Sequence, residues 1–191
     1  MTNIEVFLKF LFLIRFFKCI LADSEDVYYV GEFTDDITDC EGFENNVFKC
    51  NDLTIGFIKG EEDGETGLGL SGQLDILAEI KDGYTICLKV WKLTDLGKEF
   101  MYTVSGNLCA SLGDEDTPWW PLIKSLNTTK CPISENVYPV EEMVLTLGFA
   151  KDVLRHELCG YYVIELSILG DLEETLSCHM VPAQILEKVR E

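Results

Sequence analysis

A strict alternation of apolar and polar residues constrains the fold of this chain more than any other feature. Between residues 68 and 80 every second position is apolar or glycine, and the intervening positions are mostly polar. Only a half-buried β-strand, with one face on a core and one in water, requires a period of two. Residues 99–105 alternate in the same way, and residues 84–93 also indicate a strand, although residues 85–91 are apolar on both faces. The Lys-Asp-Gly turn at 81–83 predicts a hairpin, and the three strands together predict a meander.

Five further segments have strand-like composition and bring the predicted total to eight strands. They are residues 27–33, 47–58, 140–149, 161–169 and 175–181. Eight short strands at this spacing are typical of a sandwich or a barrel. Residues 107–126 form the exception, because two tryptophans between prolines indicate an irregular loop with a short helix. We therefore predict an all-β fold, a two-sheet antiparallel β-sandwich or cup with one short helical loop.

The first 22 residues indicate a secretory signal peptide. Apolar stretches alternate with three basic residues, and the small Ala22 precedes the acidic Asp23. This arrangement predicts cleavage near Ala22 and a single domain over residues 23–191. The full chain of 191 residues has a formal charge of −19. Such an acidic surface repels phosphate backbones, so nucleic acid is excluded as a partner.

The cysteines fit an exported chain. Cys19 lies in the predicted leader, and seven cysteines remain, which predicts about three disulfides and one free thiol. There is no CxxC pair, and no set of Cys and His residues has zinc-finger spacing, so we expect neither a metal site nor a cofactor. Asn127 begins an Asn-Thr-Thr sequon and is the predicted glycosylation site. Short acidic runs at 35–36, 61–63 and 114–116 lack calcium-loop spacing and indicate solvated turns.

Catalytic and nucleotide-binding motifs are weak or absent. Residues 67–72 match GxGxxG, but they open a strand instead of a helix, so we expect the glycines to mark a bend or bulge. The two histidines, His156 and His179, lie in no recognisable motif. Gly-x-Ser-x-Gly and the phosphate-binding lysine loop do not occur. The chain is therefore expected not to be an enzyme.

From residue 85 onward, the order of landmarks resembles the ganglioside activator-like branch of the myeloid-differentiation-type lipid-recognition (ML) family. The landmarks are CASL at 109–112, WWPL at 119–122, KCPI at 130–133, GYYVIE at 160–165 and LSC at 176–178. Residues 40–84 match only by their strand pattern. The resemblance implies a two-sheet sandwich or cup around one apolar cavity, which binds, presents or transports lipids without catalysis.

The resemblance also implies two disulfides. The family joins a cysteine near its first strand to one near its end, which corresponds here to Cys40 with Cys178. It joins the loop cysteine to the Cys-Pro step, which corresponds to Cys109 with Cys131. Cys50, Cys87 and Cys159 have no counterpart in the family pattern, and our working assignment for a third bridge is Cys50 with Cys159.

Residues expected to line the apolar ligand come from the strands and the helical loop. Trp119 and Trp120 are expected at the cavity entrance, although plugging the core beneath the loop is an equal alternative. The other candidates are Trp91, Phe100, Tyr102, Ile123, Leu145, Leu147, Phe149, Tyr162 and Ile164.

We predict a secreted carrier, or alternatively a protein of the lysosomal lumen, whose partner is a lipid or another apolar small molecule. A membrane surface or a receptor is a further candidate partner. Two other functions stay open: a secreted recognition or adhesion module with a filled core, and a hydrolase acting on lipid or glycan. An internal void favours the carrier, a solid core the adhesion module, and a His or carboxylate pair in a cleft the hydrolase.

Overall fold

The computed structural model describes residues 27–50, 52–59, 66–144 and 155–189. The predicted leader at 1–22 and three candidate ligand-lining residues, Leu145, Leu147 and Phe149, lie outside the described residues. Among the described residues, no helix combines the length and apolarity needed to cross a membrane.

Six antiparallel strands form the large sheet, in the order β1-β10-β9-β6-β7, with β2 also paired to β10. Their bounds are β1 Val27–Phe33, β2 Thr38–Asp39, β6 Thr85–Thr94, β7 Gly97–Asn107, β9 Gly160–Leu169 and β10 Thr175–Val189. β10 is the longest strand because it pairs with β9 over residues 175–185 and with β1 over residues 183–189. It continues well past the predicted end at residue 181.

The small sheet is built around β5. Its strands are β3 Phe48–Lys49, β4 Thr54–Lys59, β5 Thr66–Ile76 and β8 Asn136–Val144. β3 and β4 both pair with β5, and so does β8. The two-sheet antiparallel architecture confirms the predicted fold class.

The strand predicted over residues 47–58 is interrupted near Asp52, where the backbone lies close to Gly72 of β5. Gly72 of β5 has a φ of +134°, and a Cβ at this position would lie 2.1 Å from the carbonyl oxygen of Asp52. Between β3 and β4 the chain turns, with the amide of Leu53 donating to the carbonyl of Cys50 at 3.2 Å. The β5–β8 register shifts between Leu70 and Gly72, so the glycine pattern marks a bulge as predicted.

The predicted hairpin and meander across residues 81–83 are wrong. β5 belongs to the small sheet and β6 to the large sheet, so the turn carries the chain from one sheet to the other. Ile80 bridges Ile133 instead of pairing with the start of β6. The physical reason is burial, because Leu74 and Ile86 share one core cluster to which each sheet contributes its apolar face.

The main core, a cluster of buried side chains, joins both sheets. It includes residues of β3, β5, β6, β8, β9 and β10, together with the helical loop; its fully buried members include Leu53, Leu74, Ile76, Ile80, Ile86, Leu108, Ile133 and Ile168. Each fully buried aliphatic side chain contributes about 1.5–3 kcal/mol.

The helical loop closes one side of the main core. A single α-helical turn, α1 (Trp120–Ile123), continues into a 3₁₀ turn at Lys124–Leu126. Ile123 and Leu126 are buried in the main core. The short helix predicted in this region is therefore present.

Candidate functional site

The inner face of the large sheet follows directly from strand register. Leu88 of β6 lies opposite Leu166 of β9, which lies opposite His179 of β10. One step of two residues further along each strand, Val90 lies opposite Ile164, which lies opposite Val181. Because directly opposed residues point to the same side of a sheet, these rows form one mostly apolar surface.

The inner face carries a second apolar cluster beyond the main core. Its buried members are Val90, Tyr162 and Ala183; the half-buried residues packed on them are Phe33, Met101, Ile164 and Ile185. All seven belong to strands of the large sheet. Phe33 and Ile164 also pack against the main core, so the two clusters form one continuous apolar surface.

Polar groups lie at the border of the second apolar cluster. The hydroxyl of Tyr162 donates to the carbonyl of Leu158 at 2.5 Å, and burial raises the pKa of Tyr162. The ammonium of Lys92 lies 5.7 Å from the centre of the Tyr162 ring and donates to the carbonyl of Glu157 at 3.0 Å. An apolar surface bordered by a cation and a phenol can accept an amphipathic molecule.

Tyr102 is the most accessible aromatic on this part of the inner face. It lies opposite Val90 on the edge strand β7 and is 48% exposed. Burial of part of the side chain raises the pKa of its hydroxyl. Tyr102, Tyr162 and Ile164 are the predicted ligand-lining residues that the structure brings together at the second apolar cluster.

Trp91 and Phe100 do not point inward, contrary to the prediction. A β-bulge follows Val90 in the β6–β7 pair, so that Trp91 lies opposite Phe100 while Val90 lies opposite Tyr102. Phe100 therefore shares the outer face with Trp91; their ring centroids are 5.4 Å apart, edge to face, and Phe100 is 52% exposed. The prediction assumed unbroken alternation along β7, and one extra residue in the bulge reverses the face.

The two tryptophans of the helical loop occupy different environments. Trp119 is buried in the main core, where its ring lies against Gly106 so closely that a Cβ there would be 2.8 Å from the ring. Its indole Nε1 has no hydrogen-bond partner among the described residues. Trp120 is half-buried against the core. Burial of Trp119 and Ile123 supports the core-plugging alternative, and Trp120 stays a candidate rim residue.

Two of the three predicted disulfides are confirmed. Cys40 and Cys178 are bonded with their Cα atoms 5.4 Å apart, and Cys109 and Cys131 with theirs 5.6 Å apart. The assignment of Cys50 to Cys159 is wrong, because both are free thiols. Cys50 is fully buried in the main core, where burial raises the pKa of its thiol, while Cys159 is half-buried beside the start of β9.

Two further features lie outside the second apolar cluster. A surface depression of about 650 Å³ beside the Cys109–Cys131 bridge is lined by both acidic and basic side chains, including Glu79, Lys81 and Lys130. The second feature is His179, which is fully buried. A substrate cannot reach the His179 imidazole in this structure, so this residue does not support the hydrolase alternative.

Comparisons with known proteins find similar solved structures but no family. No family model matches the sequence, and no curated protein matches it. Among solved structures, the crystal structure of chicken MD-1 complexed with lipid IVa matches over 83% of this chain and 96% of that chain. The sequence identity is 13% and the TM-score is 0.35. These values do not assign the chain to a family.

Proposed function

We propose that this chain is a secreted carrier that binds a lipid or a similar apolar molecule on the inner face of its large sheet. The second apolar cluster is the observation that carries the proposal. Four of its seven members are only half-buried, so apolar surface remains accessible where the main core ends. Apolar surface next to a few fixed polar groups is the usual composition of a site for an apolar ligand.

The polar border supports an amphipathic ligand in particular. Acyl chains would lie along Val90, Ile164 and Ile185, and a head group would remain near Lys92 and the Tyr102 hydroxyl. Lys92 supplies a local positive charge that can pair with the negative group of a zwitterionic head group, whereas the net charge of −19 disfavours a ligand with a net negative charge. Binding of this kind needs no catalytic group.

The disulfide pattern supports the same proposal independently. The resemblance of the sequence to the lipid-recognition family implies both Cys40–Cys178 and Cys109–Cys131, and both bridges are formed. Two disulfides together with the exposed sequon residue Asn127 also support secretion, with the lysosomal lumen as the alternative location. N-terminal sequencing of protein from culture medium should show cleavage near Ala22.

Binding of a fluorescent fatty-acyl probe tests the site with a matched pair of variants. Ile185→Ser removes a half-buried member of the second apolar cluster, whereas Gln184→Ser changes the next residue of β10 on the opposite face. We expect Ile185→Ser to weaken probe binding several-fold to about tenfold. A tenfold change corresponds to a loss of about 1.4 kcal/mol of apolar contact. Gln184→Ser should bind as the wild type does.

Native mass spectrometry of the secreted protein provides the complementary measurement. A co-purifying lipid, released on denaturation and depleted in Ile185→Ser, is the expected result. Equal probe affinity in the two serine variants, together with a ligand-free mass for the wild type, would contradict the carrier proposal and leave the adhesion module with a filled core.

A further inference from the structure

Three side chains of different chemistry converge beside the start of β9. His156 begins a 3₁₀ turn at His156–Leu158, Cys159 follows that turn, and Glu187 lies near the end of β10. One ligand atom from each residue lies within 4.8 Å of the other two. This set is not predicted from the sequence, because Glu187 is distant from the other two residues and His-x-x-Cys alone is a weak motif.

Strand pairing and a tight turn bring the three residues close together. Gly160 pairs with Ile185 in the β9–β10 ladder, which places the residue before β9 close to the last residues of β10. The amide of Cys159 donates to the carbonyl of His156 at 3.0 Å and closes the turn. His156 and Cys159 are therefore presented together toward the strand that carries Glu187.

The donor set is that of a borderline transition metal. Zn²⁺ is bound in proteins by imidazole nitrogen, thiolate sulfur and carboxylate oxygen at about 2.0–2.3 Å, which places tetrahedral donor atoms about 3.4–3.6 Å apart. The Nδ1 atom of His156 is 2.7 Å from Oε2 of Glu187. Binding therefore requires this pair to separate by less than about 1 Å and the Cys159 thiol to approach by at most about 1.3 Å. The side chains of His156 and Glu187 are 77% and 38% exposed, which leaves them room to adjust.

Neighbouring groups favour a cation at this position. The hydroxyl of Tyr29 donates to Oε2 of Glu187 at 3.1 Å, as an outer hydrogen bond that orients a ligating carboxylate. Glu157 adds a further negative charge beside His156.

We propose that His156, Cys159 and Glu187 form a binding site for a transition-metal ion of the Zn²⁺ class, with the fourth position open to water or a ligand atom. The site joins the turn before β9 to the end of β10. The carbonyls of Glu157 and Leu158 in the same turn accept hydrogen bonds from Lys92 and Tyr162. Metal binding would thus hold the turn in place and, through it, fix the positions of Lys92 and Tyr162 at the polar border of the second apolar cluster.

Cobalt spectroscopy and zinc calorimetry on the full secreted chain test the site, with its disulfides intact and without reductant. Co²⁺ should give a thiolate-to-cobalt charge-transfer band in the wild type, Zn²⁺ should displace it, and Cys159→Ser should remove it. His156→Asn and Glu187→Gln should each weaken Zn²⁺ by more than about 100-fold, because loss of an outer partner alone costs about 10- to 100-fold. Tyr29→Phe should cost about 10-fold.

Glu157→Gln is the matched control, because it removes an adjacent negative charge without removing a donor of the cluster. We expect it to change Zn²⁺ affinity less than about threefold. Melting temperatures measured in a chelator verify that each variant is folded. A wild-type chain without the cobalt–thiolate band would overturn the proposal, as would equal loss of affinity in Glu157→Gln and Glu187→Gln, or a thiol assay showing Cys159 in a disulfide.

Discussion

The two apolar clusters of this molecule are built from the same alternating strands but differ in what faces them. In the main core, the side chains of the large sheet meet those of the small sheet and the helical loop. The second apolar cluster, in the part of the chain that the structure describes, draws its members from the large sheet alone. The boundary between the two clusters falls within a strand: on β9, Leu166 belongs to the main core and Tyr162 to the second apolar cluster.

Because of this difference, one part of the continuous apolar surface contributes mainly to the stability of the fold and the other part is available for ligand binding. A side chain packed between two sheets contributes its full transfer free energy and leaves a cavity when truncated. A half-buried side chain contributes less to folding and keeps surface that a ligand can cover. We therefore expect substitutions in the main core to reduce stability, and substitutions in the second apolar cluster to reduce ligand affinity.

The largest expected effect comes from the disulfide that clamps β10 at the main-core end. Cys40–Cys178 spans 138 residues and Cys109–Cys131 spans 22. The chain-entropy relation gives about 5 kcal/mol for the first bridge and about 3.4 kcal/mol for the second. Paired Cys→Ser variants, compared by urea unfolding, should rank in that order. A larger loss from the shorter bridge would show that strain or residual structure outweighs loop length.

Trp119→Ala should destabilise the protein by about 3–5 kcal/mol, because the ring is buried in the main core. Trp119→Phe should lose less stability, since it keeps an aromatic ring and removes the indole N–H that lacks a partner among the described residues.

Tyr102→Ala, beside the second apolar cluster, should have the opposite effect, with a small change in melting temperature and several-fold weaker binding of the acyl probe. Similar stability losses in Trp119→Ala and Tyr102→Ala would remove the distinction between the clusters.

Acid should destabilise the main-core end through His179. Burial lowers the pKa of this imidazole below its usual 6.5, although the Phe48 carbonyl and Asp39 oppose the shift; Lys49 acts in the same direction as burial. The folded state therefore binds fewer protons, and stability present above pH 6.5 is lost as the pH falls below that value. His179→Gln should flatten this part of the pH–stability curve, measured by urea unfolding. An unchanged slope would assign the acid sensitivity to other groups.

The smallest effect is expected at the predicted glycosylation site. Asn127 follows the buried Leu126 but is itself exposed, with a left-handed φ of 46°. Asn127→Gln should abolish the glycosidase-sensitive mass shift of the secreted protein and change the stability by less than about 0.5 kcal/mol. A protein without that mass shift in the wild type would show that the sequon is unused.

Much of the architecture could be predicted because it depends on local pattern. β1 begins and ends where its composition indicated, and β6, β7 and β9 match their predictions to within one or two residues. A period of two survives in these strands because each has one face on a core. The helical loop was equally predictable, since Pro118 and Pro121 restrict its backbone.

The candidate site was less predictable because it depends on exceptions to the pattern. One bulge moves Phe100 to the outer face while Tyr102 stays on the inner face. Burial places Trp119 inside the core, although amphipathic rings on a loop are equally suited to a rim. The set of His156, Cys159 and Glu187 depends on strand pairing between distant segments, which no short motif encodes.

By itself, the sequence determined the position of several long strands, the antiparallel two-sheet class and, through its resemblance to a known family, the two disulfides. These follow from periodicity and from the order of landmarks, which are properties of the chain read in one dimension. Only the tertiary structure decided which sheet each strand joins, which cysteines remain free and where the inner face passes from core to accessible surface. Those outcomes are set by burial and by contacts between residues far apart in sequence. Alternation shows that a strand has one apolar face, but the tertiary structure decides what that face packs against.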